Sequence, residues 1–330
     1  MISIIILYYM SHANPGPTIL VLKKIRKMKN IFIATDFTPA SKNAALYGIE
    51  LAKHYNAKVY LFHAYQNQKA RTGSLLHGDD DIDLSSISGE WLKDQAVLIN
   101  KDGKIDLELC SAEGAPADTI IKNAIQKNAD VIICAMKSTA KTFRKIFGSV
   151  TLSLLNKSEI PMIVVPESVS FQKPSQIALA MDMDPSTSPA TLQVLKKIGE
   201  NFFSKVSIVY ALDENFKEDE VVKFSPPLNI SEIIHLYPKY EFRVGSDIAK
   251  TIEEFAIEQS INMLAVIPHK HTKVQRWFTE SVTRNIVMQA NLPVLILPQK
   301  LDTGNEDEAG MEKIEQIWNE HGVKKGEYHC

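Results

Sequence analysis

Short runs of apolar residues alternate along this chain with longer segments in which apolar residues recur every three or four positions. The first such run, residues 31–35, ends at Asp36, and residues 39–55 then carry Ala, Gly and Ile at helical spacing. A continuous apolar run is typical of a strand that is covered on both faces, as in a parallel sheet. Strands that alternate with helices in this way predict an α/β fold with right-handed crossovers.

The first half of the chain provides the clearest helix signals. Thr38 is expected to cap a helix over residues 39–55, because Pro39 fits the first turn of such a helix. Further helices are expected from Pro116 and from about Ser149. The first helix carries small residues on one side, which predicts that it lies close to the sheet; they are Ala44, Ala45, Gly48, Ile49 and Ala52. The second has an apolar face formed by Ala117, Ile120, Ile121, Ala124 and Ile125. The predicted strands are residues 31–35, 59–64, 105–110, 131–134 and 162–165.

The pattern then occurs a second time. The segment Ser149-Val150-Thr151 returns as Ser281-Val282-Thr283, and Pro161 returns as Pro293, in both cases 132 positions later. Two diverged copies of one α/β unit therefore organise the chain. The strands predicted in the second copy are residues 177–181, 206–211, 240–244, 263–267 and 294–297.

The repeat also predicts how the chain is divided. We assign residues 1–28 to an N-terminal extension, 29–168 to a first domain, 169–300 to a second, degenerate domain, and 301–330 to a polar tail. The apolar stretch at residues 1–10 is too short to span a bilayer. Met28 is therefore expected to be the natural start, and a short membrane-touching or targeting segment is the alternative. A solvated loop is expected at residues 73–89, since its aspartates lack the spacing of a calcium loop.

Composition narrows the function classes. The chain has 330 residues, 45% of them apolar, and a formal charge of -2, which gives no electrostatic reason to expect nucleic acid or a membrane as a partner. Its three cysteines, Cys110, Cys134 and Cys330, lack the spacing of a metal site or a disulfide framework. We therefore expect a cytoplasmic protein in a reducing compartment.

One end of the predicted sheet is the candidate binding site. Doubly wound sheets bind ligands beyond the carboxyl ends of their strands, where the strand order reverses. Asp36 ends the first predicted strand, and the segment of residues 135–149 follows the fourth. If these two strands are neighbours, the carboxylate and the segment share one crevice.

These residues resemble the universal stress protein family. The resemblance covers residues 29–166 and, more weakly, 175–298. The motifs that carry it are Thr35-Asp36-Phe37-Thr38-Pro39, the strand of residues 58–64 with His63, Gly114-Ala115-Pro116, and Phe147-Gly148-Ser149-Val150 followed by Ile160-Pro161. It implies two tandem Rossmann-like (flavodoxin-like, doubly wound) domains, each a five-stranded parallel sheet of order 3-2-1-4-5. It also implies that the domains pair through their last strands, residues 162–165 and 294–297. A homodimer and an unidentified protein partner are further expectations.

The same resemblance implies a nucleotide site. ATP-binding members of the family carry a glycine, two residues, a glycine, nine residues, and then Gly-Ser or Gly-Thr. The matching positions in this chain are Ala135, Ser138, Gly148 and Ser149, so the spacing survives but two of the three glycines are replaced. Both replacements add a Cβ that disfavours positive φ. Gly148 and Ser149 are expected to open a helix whose N-terminus attracts anions.

The expected cofactor of the first domain is ATP or another adenine nucleotide, with Mg2+ accompanying it; we assign no other metal. In the family the positions of Asp36, His63 and Ala64 lie against the adenosine. Asp36 has a second interpretation as a cap of the following helix, and His63 is expected to be a packed, hydrogen-bonded residue rather than a catalyst. Basic residues of the segment either attract phosphate or are solvated charges; they are Lys137, Lys141, Arg144 and Lys145.

The second copy has lost the pattern. Its matching positions are Ile267, Lys270, Glu280 and Ser281, and no glycine remains among them. A bulky side chain and a carboxylate at these positions would crowd and repel the phosphates, so no ATP is expected there. Several basic residues nearby either bind another anion or are solvated; they are His269, Lys270, His271, Lys273 and Arg276.

Three functions stay open at this point. The first is a stress-response module that holds a nucleotide in its first domain. The second is a scaffold for protein partners whose nucleotide site has decayed, and the third is a weak ATPase. The sequence contains no Walker loop and no Gly-x-Gly-x-x-Gly motif, and no Ser/His/Asp set can be assigned, so an enzyme has the least support.

Overall fold

The structure, a computed structural model, describes residues 27–66, 83–138, 145–146, 148–181, 188–212, 230, 232–268 and 280–299. The predictions for residues 1–26 and 301–330, for most of the acidic segment, for Lys141 and Arg144, and for the basic residues 269–276 of the second copy lie outside these ranges. Within the described residues, no helix is both long and apolar enough to cross a bilayer.

The first half of the chain folds as alternating strands and helices. Its strands are β1 (Asn30–Ala34), β2 (Lys58–Tyr65), β3 (Leu107–Glu113), β4 (Val131–Ser138), β5 (Lys145–Ile146) and β6 (Met162–Pro166). Its helices are α1 (Pro39–Tyr55), α2 (Leu84–Ile99), α3 (Pro116–Gln126) and α4 (Ser149–Lys157).

The second half repeats this order. Its strands are β7 (Gln176–Met181), β8 (Lys205–Leu212), β9 (Lys239–Val244), β10 (Met263–Val266) and β11 (Val294–Ile296). Its helices are α5 (Gln193–Phe202), α6 (Ile248–Glu258) and α7 (Glu280–Gln289), with short 3-10 turns at Pro189–Leu192 and Ile234–Leu236.

Ten of these strands form one continuous sheet of order β3-β2-β1-β4-β6-β11-β10-β7-β8-β9. The neighbours within each half are parallel, whereas β6 and β11 meet antiparallel with Ile163 opposite Leu295. Each half thus has the order 3-2-1-4-5. The predicted fold class, two tandem Rossmann-like domains, is confirmed.

Helices cover the sheet on both faces, which explains why its inner strands, such as β1, β6 and β11, are mostly apolar and buried. Alternate residues of β1 enter different cores: Ile31 and Ile33 belong to the core that includes buried residues of α1 and α2, while Phe32 and Ala34 belong to the opposite core, which includes buried residues of α3 and α4. This period of two is the geometry of an extended strand. A parallel sheet buried in this way exposes its functional groups at the ends of its strands.

Helix α1 begins and ends where the sequence predicts. The Thr38 hydroxyl accepts a hydrogen bond from the N–H of Ser41, and Pro39 occupies the first turn. Its small residues are buried as expected, and a Cβ built on Gly48 would lie only 2.6 Å from Cδ1 of Ile33. Glycine at this position therefore lets the helix approach β1 and β4 closely.

Two predictions about the first domain are wrong. Residues 84–89 are not part of a loop but the start of α2, which Asp83 caps by accepting hydrogen bonds from the N–H groups of Ser85 and Ser86. Two of the four buried residues of α2, Ser88 and Gln95, are polar, so an apolar period does not reveal the helix. Ile125, predicted to be on the apolar face of α3, is 58% exposed because it lies to the side of the stripe that meets the sheet.

Contacts also link the two halves beside the linker. Phe171 lies in the linker, residues 167–175 between β6 and β7, and packs edge-on against Tyr47 with ring centroids 5.0 Å apart. Lys197 of α5 places its ammonium 2.6 Å from Asp130 Oδ1, and its carbonyl accepts a hydrogen bond from the Tyr55 hydroxyl at 3.0 Å. Polar and aromatic contacts therefore supplement the ladder between β6 and β11.

Candidate functional site

The strand order reverses at β1, which lies between β2 and β4. Asp36 follows β1 at the carboxyl end of all three strands. Its Oδ1 accepts hydrogen bonds from the N–H of Thr38 at 3.2 Å and from the Thr38 hydroxyl at 2.5 Å. Its Oδ2 lies 2.8 Å from Nζ of Lys137, a residue of β4. Asp36 therefore contacts both the α1 cap and the end of β4.

Asp36 is ionised under all ordinary conditions. Partial burial by itself would raise the pKa of its carboxyl, but the hydrogen bonds from Lys137, Thr38 and Ser41 outweigh burial and lower that pKa to about 2. An ionised carboxylate only accepts hydrogen bonds. With 51% of its side chain exposed, it remains open to a ligand that donates one.

A hydrogen bond from Thr35 to a residue of α2 fixes the turn after β1. The buried hydroxyl of Thr35 donates to Oε1 of Gln95 at 2.8 Å and accepts the N–H of Phe37 at 3.1 Å. Phe37 has a φ of 61°, in the left-handed region that a bulky residue rarely adopts. Strained backbone of this kind is concentrated at functional sites, where the surrounding contacts maintain it.

Aromatic packing fixes Phe37 in this conformation. Its ring lies 4.5 Å from the ring centroid of His63 and meets Trp91 of α2 edge-on at 5.4 Å. Sequence reasoning missed three site residues, Phe37, Trp91 and Gln95. Trp91 and Gln95 lie on α2, a helix that the apolar pattern does not reveal, and Phe37 is a site residue through its contact with Trp91. The Asp83 cap is the signal that could have located that helix.

His63 and Ala64 follow each other on β2 but face opposite sides of the sheet. The His63 Nδ1 lies 2.8 Å from the carbonyl oxygen of Thr35, which can only accept, so Nδ1 carries a proton. Ala64 is partly buried against the opposite core, next to α3. Only His63 therefore lies on the side of Phe37 and α2.

Ala135 and Ser138 are strand residues, which corrects the expectation that the segment after Cys134 is a loop. β4 continues to Ser138 and pairs antiparallel with β5, where Lys137 is opposite Ile146. Neither Ala135 nor Ser138 is among the described residues with positive φ. The loss of glycine at these two positions therefore imposes no backbone strain, contrary to the argument from the motif.

Gly148 and Ser149 begin α4 at the same end of β4. Gly148 is the N-cap residue, has a φ of −60°, and supplies no side-chain cap. The first bond within the helix runs from the N–H of Leu152 to Gly148 O, so the N–H groups of residues 149–151 have no acceptor within the helix. The Thr151 hydroxyl donates to the carbonyl of Ala135 at 3.1 Å and fixes this first turn to β4.

Two groups suited to different parts of a nucleotide thus border the end of β4. On one side is the anionic Asp36, and on the other is a helix N-terminus whose partial positive charge favours anions. Lys137 lies between the Ala135 and Ser138 positions and contacts Asp36. The structure thus brings Asp36 and the start of α4 to the same edge of the first domain.

The corresponding end of the second domain is described only in part. Asp182 and the basic residues 269–276 lie outside the described residues. Ile267, which matches Ala135, is 2% exposed and packs into the core. Among the described residues of both domains, no three His, Cys, Asp or Glu side chains are grouped so as to hold a metal ion.

Comparison with known proteins identifies one protein family and several relatives that are similar to this chain. The universal stress protein family matches residues 27–166 and 237–298. The stress response protein NhaX of Bacillus subtilis (strain 168) is 27% identical over 164 residues, which are 41% of this chain and 96% of that protein. A universal stress protein of Methanocaldococcus jannaschii is 28% identical over 141 residues, 42% of this chain and 81% of that protein.

A solved structure shares the fold over most of the chain. The crystal structure of a universal stress protein from Archaeoglobus fulgidus DSM 4304 superposes with a TM-score of 0.62 at 18% identity. The match covers 82% of this chain and 98% of that one. At 18% identity, the similarity shows that the two chains share the fold, and the ligand of this chain has to be inferred from its own residues.

Proposed function

We propose that this chain, which belongs to the universal stress protein family, is a stress-response module that holds an adenine nucleotide in its first domain. One observation carries the proposal: Asp36 and the uncapped start of α4 border the same end of β4. A ligand with hydrogen-bond donors at one end and phosphates at the other fits this pair of groups.

Each group has a defined part in the proposed binding. Asp36 accepts a hydrogen bond from a ribose hydroxyl or an adenine amine, and His63, whose Nδ1 donates to the Thr35 carbonyl, leaves Nε2 for a second hydrogen bond on the same side. The N–H groups of residues 149–151 donate to the phosphates. Mg2+ enters with the nucleotide and neutralises part of the phosphate charge, since this ion is held mainly by substrate phosphates in proteins.

The proposal assigns binding rather than turnover. A carboxyl with a pKa of about 2 is a poor general base at neutral pH, because efficient proton transfer needs a pKa near the working pH. Asp36 is thus suited to fixing a ligand and not to activating water. If the bound nucleotide is not rapidly hydrolysed, the occupied fraction of the site follows the nucleotide concentration, so the protein can act as a sensor of it.

We propose that the two domains act as one unit. The antiparallel pairing of β6 with β11 and the contacts of Lys197 support this, since they leave no free edge between the domains. The second domain then serves as a structural and partner-binding half without nucleotide. Cys110 and Cys134 form no disulfide with any residue that the structure describes, which is consistent with the proposed cytoplasmic location. Burial raises the pKa of Cys134 to about 12, so this thiol is unreactive.

Calorimetric titration of the full chain with ATP and Mg2+ tests this function, with inorganic tripolyphosphate as the matched anion. We expect saturable binding of ATP that is at least about tenfold tighter than that of tripolyphosphate, because Asp36 and His63 recognise only the nucleoside. Absence of ATP binding would favour the scaffold, and equal binding of ATP and tripolyphosphate would show that the site binds anions without recognising the nucleoside. Formation of ADP in the calorimeter cell during the titration would favour the ATPase.

A further inference from the structure

Lys137 is one of the two residues that the ATP-binding pattern leaves unspecified between its first two glycine positions. It extends from β4 between Ala135 and Ser138, and its ammonium nitrogen lies 2.8 Å from Oδ2 of Asp36. The Lys137 side chain is 46% exposed and that of Asp36 is 51% exposed, so water reaches both partners. An ion pair this exposed contributes little net stability. The pair can therefore open at little cost when a better anion arrives.

Lys137 is connected to both proposed parts of the site. Its ammonium group contacts Asp36, and Ala135, two residues before it on β4, accepts a hydrogen bond from Thr151 in the first turn of α4. A nucleotide that extends from Asp36 to the start of α4 would pass the end of β4, where Lys137 lies. A phosphate carries more charge than a half-exposed carboxylate and offers more acceptor oxygens. The flexible stem of lysine can turn its ammonium group from one partner to the other.

We propose that Lys137 recognises the phosphates of the nucleotide by leaving Asp36, so that the site selects phosphorylated nucleotides over adenosine. This inference rests on the proposed function and adds the source of selectivity within the same site. The exchange also frees an oxygen of Asp36 to accept a hydrogen bond from the sugar or base. The ammonium group of Lys137 would then replace part of the contact with phosphate that the motif glycines, absent at Ala135 and Ser138, provide in ATP-binding members.

A purely structural role makes a different prediction. If Lys137 only neutralises Asp36, its removal exposes the phosphates to an unpaired carboxylate, and removing that carboxylate as well restores the preference for ATP over adenosine. If Lys137 contacts phosphate, the double variant keeps a reduced preference for ATP. The ratio of ATP affinity to adenosine affinity separates these roles, since adenosine lacks the group that Lys137 is proposed to bind.

The experiment measures dissociation constants for ATP and adenosine with wild type, Lys137→Ala, Lys137→Arg and Asp36→Asn/Lys137→Ala. We expect Lys137→Ala to lower the ATP affinity about tenfold while changing that for adenosine by less than about twofold, and Lys137→Arg to retain most of the selectivity. Lys122→Ala, which removes an exposed lysine from α3, is the control and should match wild type for both ligands.

Each outcome decides the matter. Because Asp36 is itself proposed to bind the adenosine, the double variant is judged by the ratio of its ATP affinity to its adenosine affinity. A ratio that remains about tenfold below that of wild type supports phosphate recognition, whereas a ratio that returns to the wild-type value assigns Lys137 to neutralising Asp36. An unchanged ratio in Lys137→Ala, with ATP still bound by wild type, overturns this inference alone. Failure of wild type to bind either ligand overturns the proposed function itself. Circular dichroism and thermal unfolding confirm that each variant is folded.

Discussion

Replacing Gly148 with aspartate is expected to lower the affinity for ATP more than about 100-fold without disturbing the fold. Gly148 has a φ of −60°, and among the described residues no atom lies within 4 Å of where its Cβ would be, so the new side chain causes neither backbone strain nor a clash with them. Aspartate is also a preferred N-cap residue, and its carboxylate would accept the N–H bonds that we assign to the phosphates. It would repel the phosphates as well.

Gly148→Asn is the matched control, since asparagine has the same shape and capping ability without the charge. We expect it to bind ATP at least about tenfold more tightly than Gly148→Asp, because only the aspartate adds charge repulsion. Both variants should unfold within about 3 °C of wild type, since their caps change stability by only a few tenths of a kcal/mol. Wild-type affinity in Gly148→Asp would place the ligand away from α4.

The largest expected effect on stability comes from Gly48→Leu, which should cost about 3 kcal/mol. The helix α1 lies so close to the sheet that even a Cβ on Gly48 would sit 2.6 Å from Ile33 Cδ1 and 3.0 Å from Ile133 Cδ1. A leucine would force the helix away from β1 and β4, and Asp36 would move with the turn between β1 and α1. Urea unfolding followed by circular dichroism measures the loss.

Gly89→Leu is the control for this prediction. Gly89 also lies within a helix, α2, but in the part of the chain that the structure describes nothing lies within 4 Å of the position where its Cβ would be. Replacing glycine inside a helix at an open position should stabilise the protein by about 0.5–1 kcal/mol, because leucine is the better helix former. Equal effects of the two substitutions would contradict the close contact between α1 and the sheet.

The sequence predicts those parts of the fold whose signals are local. Helix α1 has its expected bounds because Thr38 caps it, Pro39 starts it, and its small residues recur at helical spacing. The inner strands are buried on both faces and therefore appear as apolar runs, whereas the edge strands β3 and β9 are only partly buried and carry charged residues. Helix α2 has a buried face with two polar residues, Ser88 and Gln95, so its signal depends on partners that a linear pattern cannot show.

The same distinction applies to the candidate site. The place of Asp36 at the strand-order reversal follows from the order of the elements and from the family resemblance. Its contact with Lys137 depends on β4 extending past Cys134 to pair with β5, a tertiary effect that the mixed sequence after Cys134 does not reveal. The packing of Phe37 against Trp91 likewise requires α2 in place. These contacts join residues distant in the sequence, where residue type alone carries little information.

Hydrogen–deuterium exchange with and without saturating ATP tests the central claim most directly, because it locates the ligand on the chain. The N–H groups of residues 149–151 lack acceptors within α4 and should exchange rapidly in the free protein. We predict that ATP slows exchange at these amides and leaves residues 281–283 of the second domain unchanged. Unchanged exchange at residues 149–151 in the presence of bound ATP, or protection confined to residues 281–283, would contradict a nucleotide site at the end of β4.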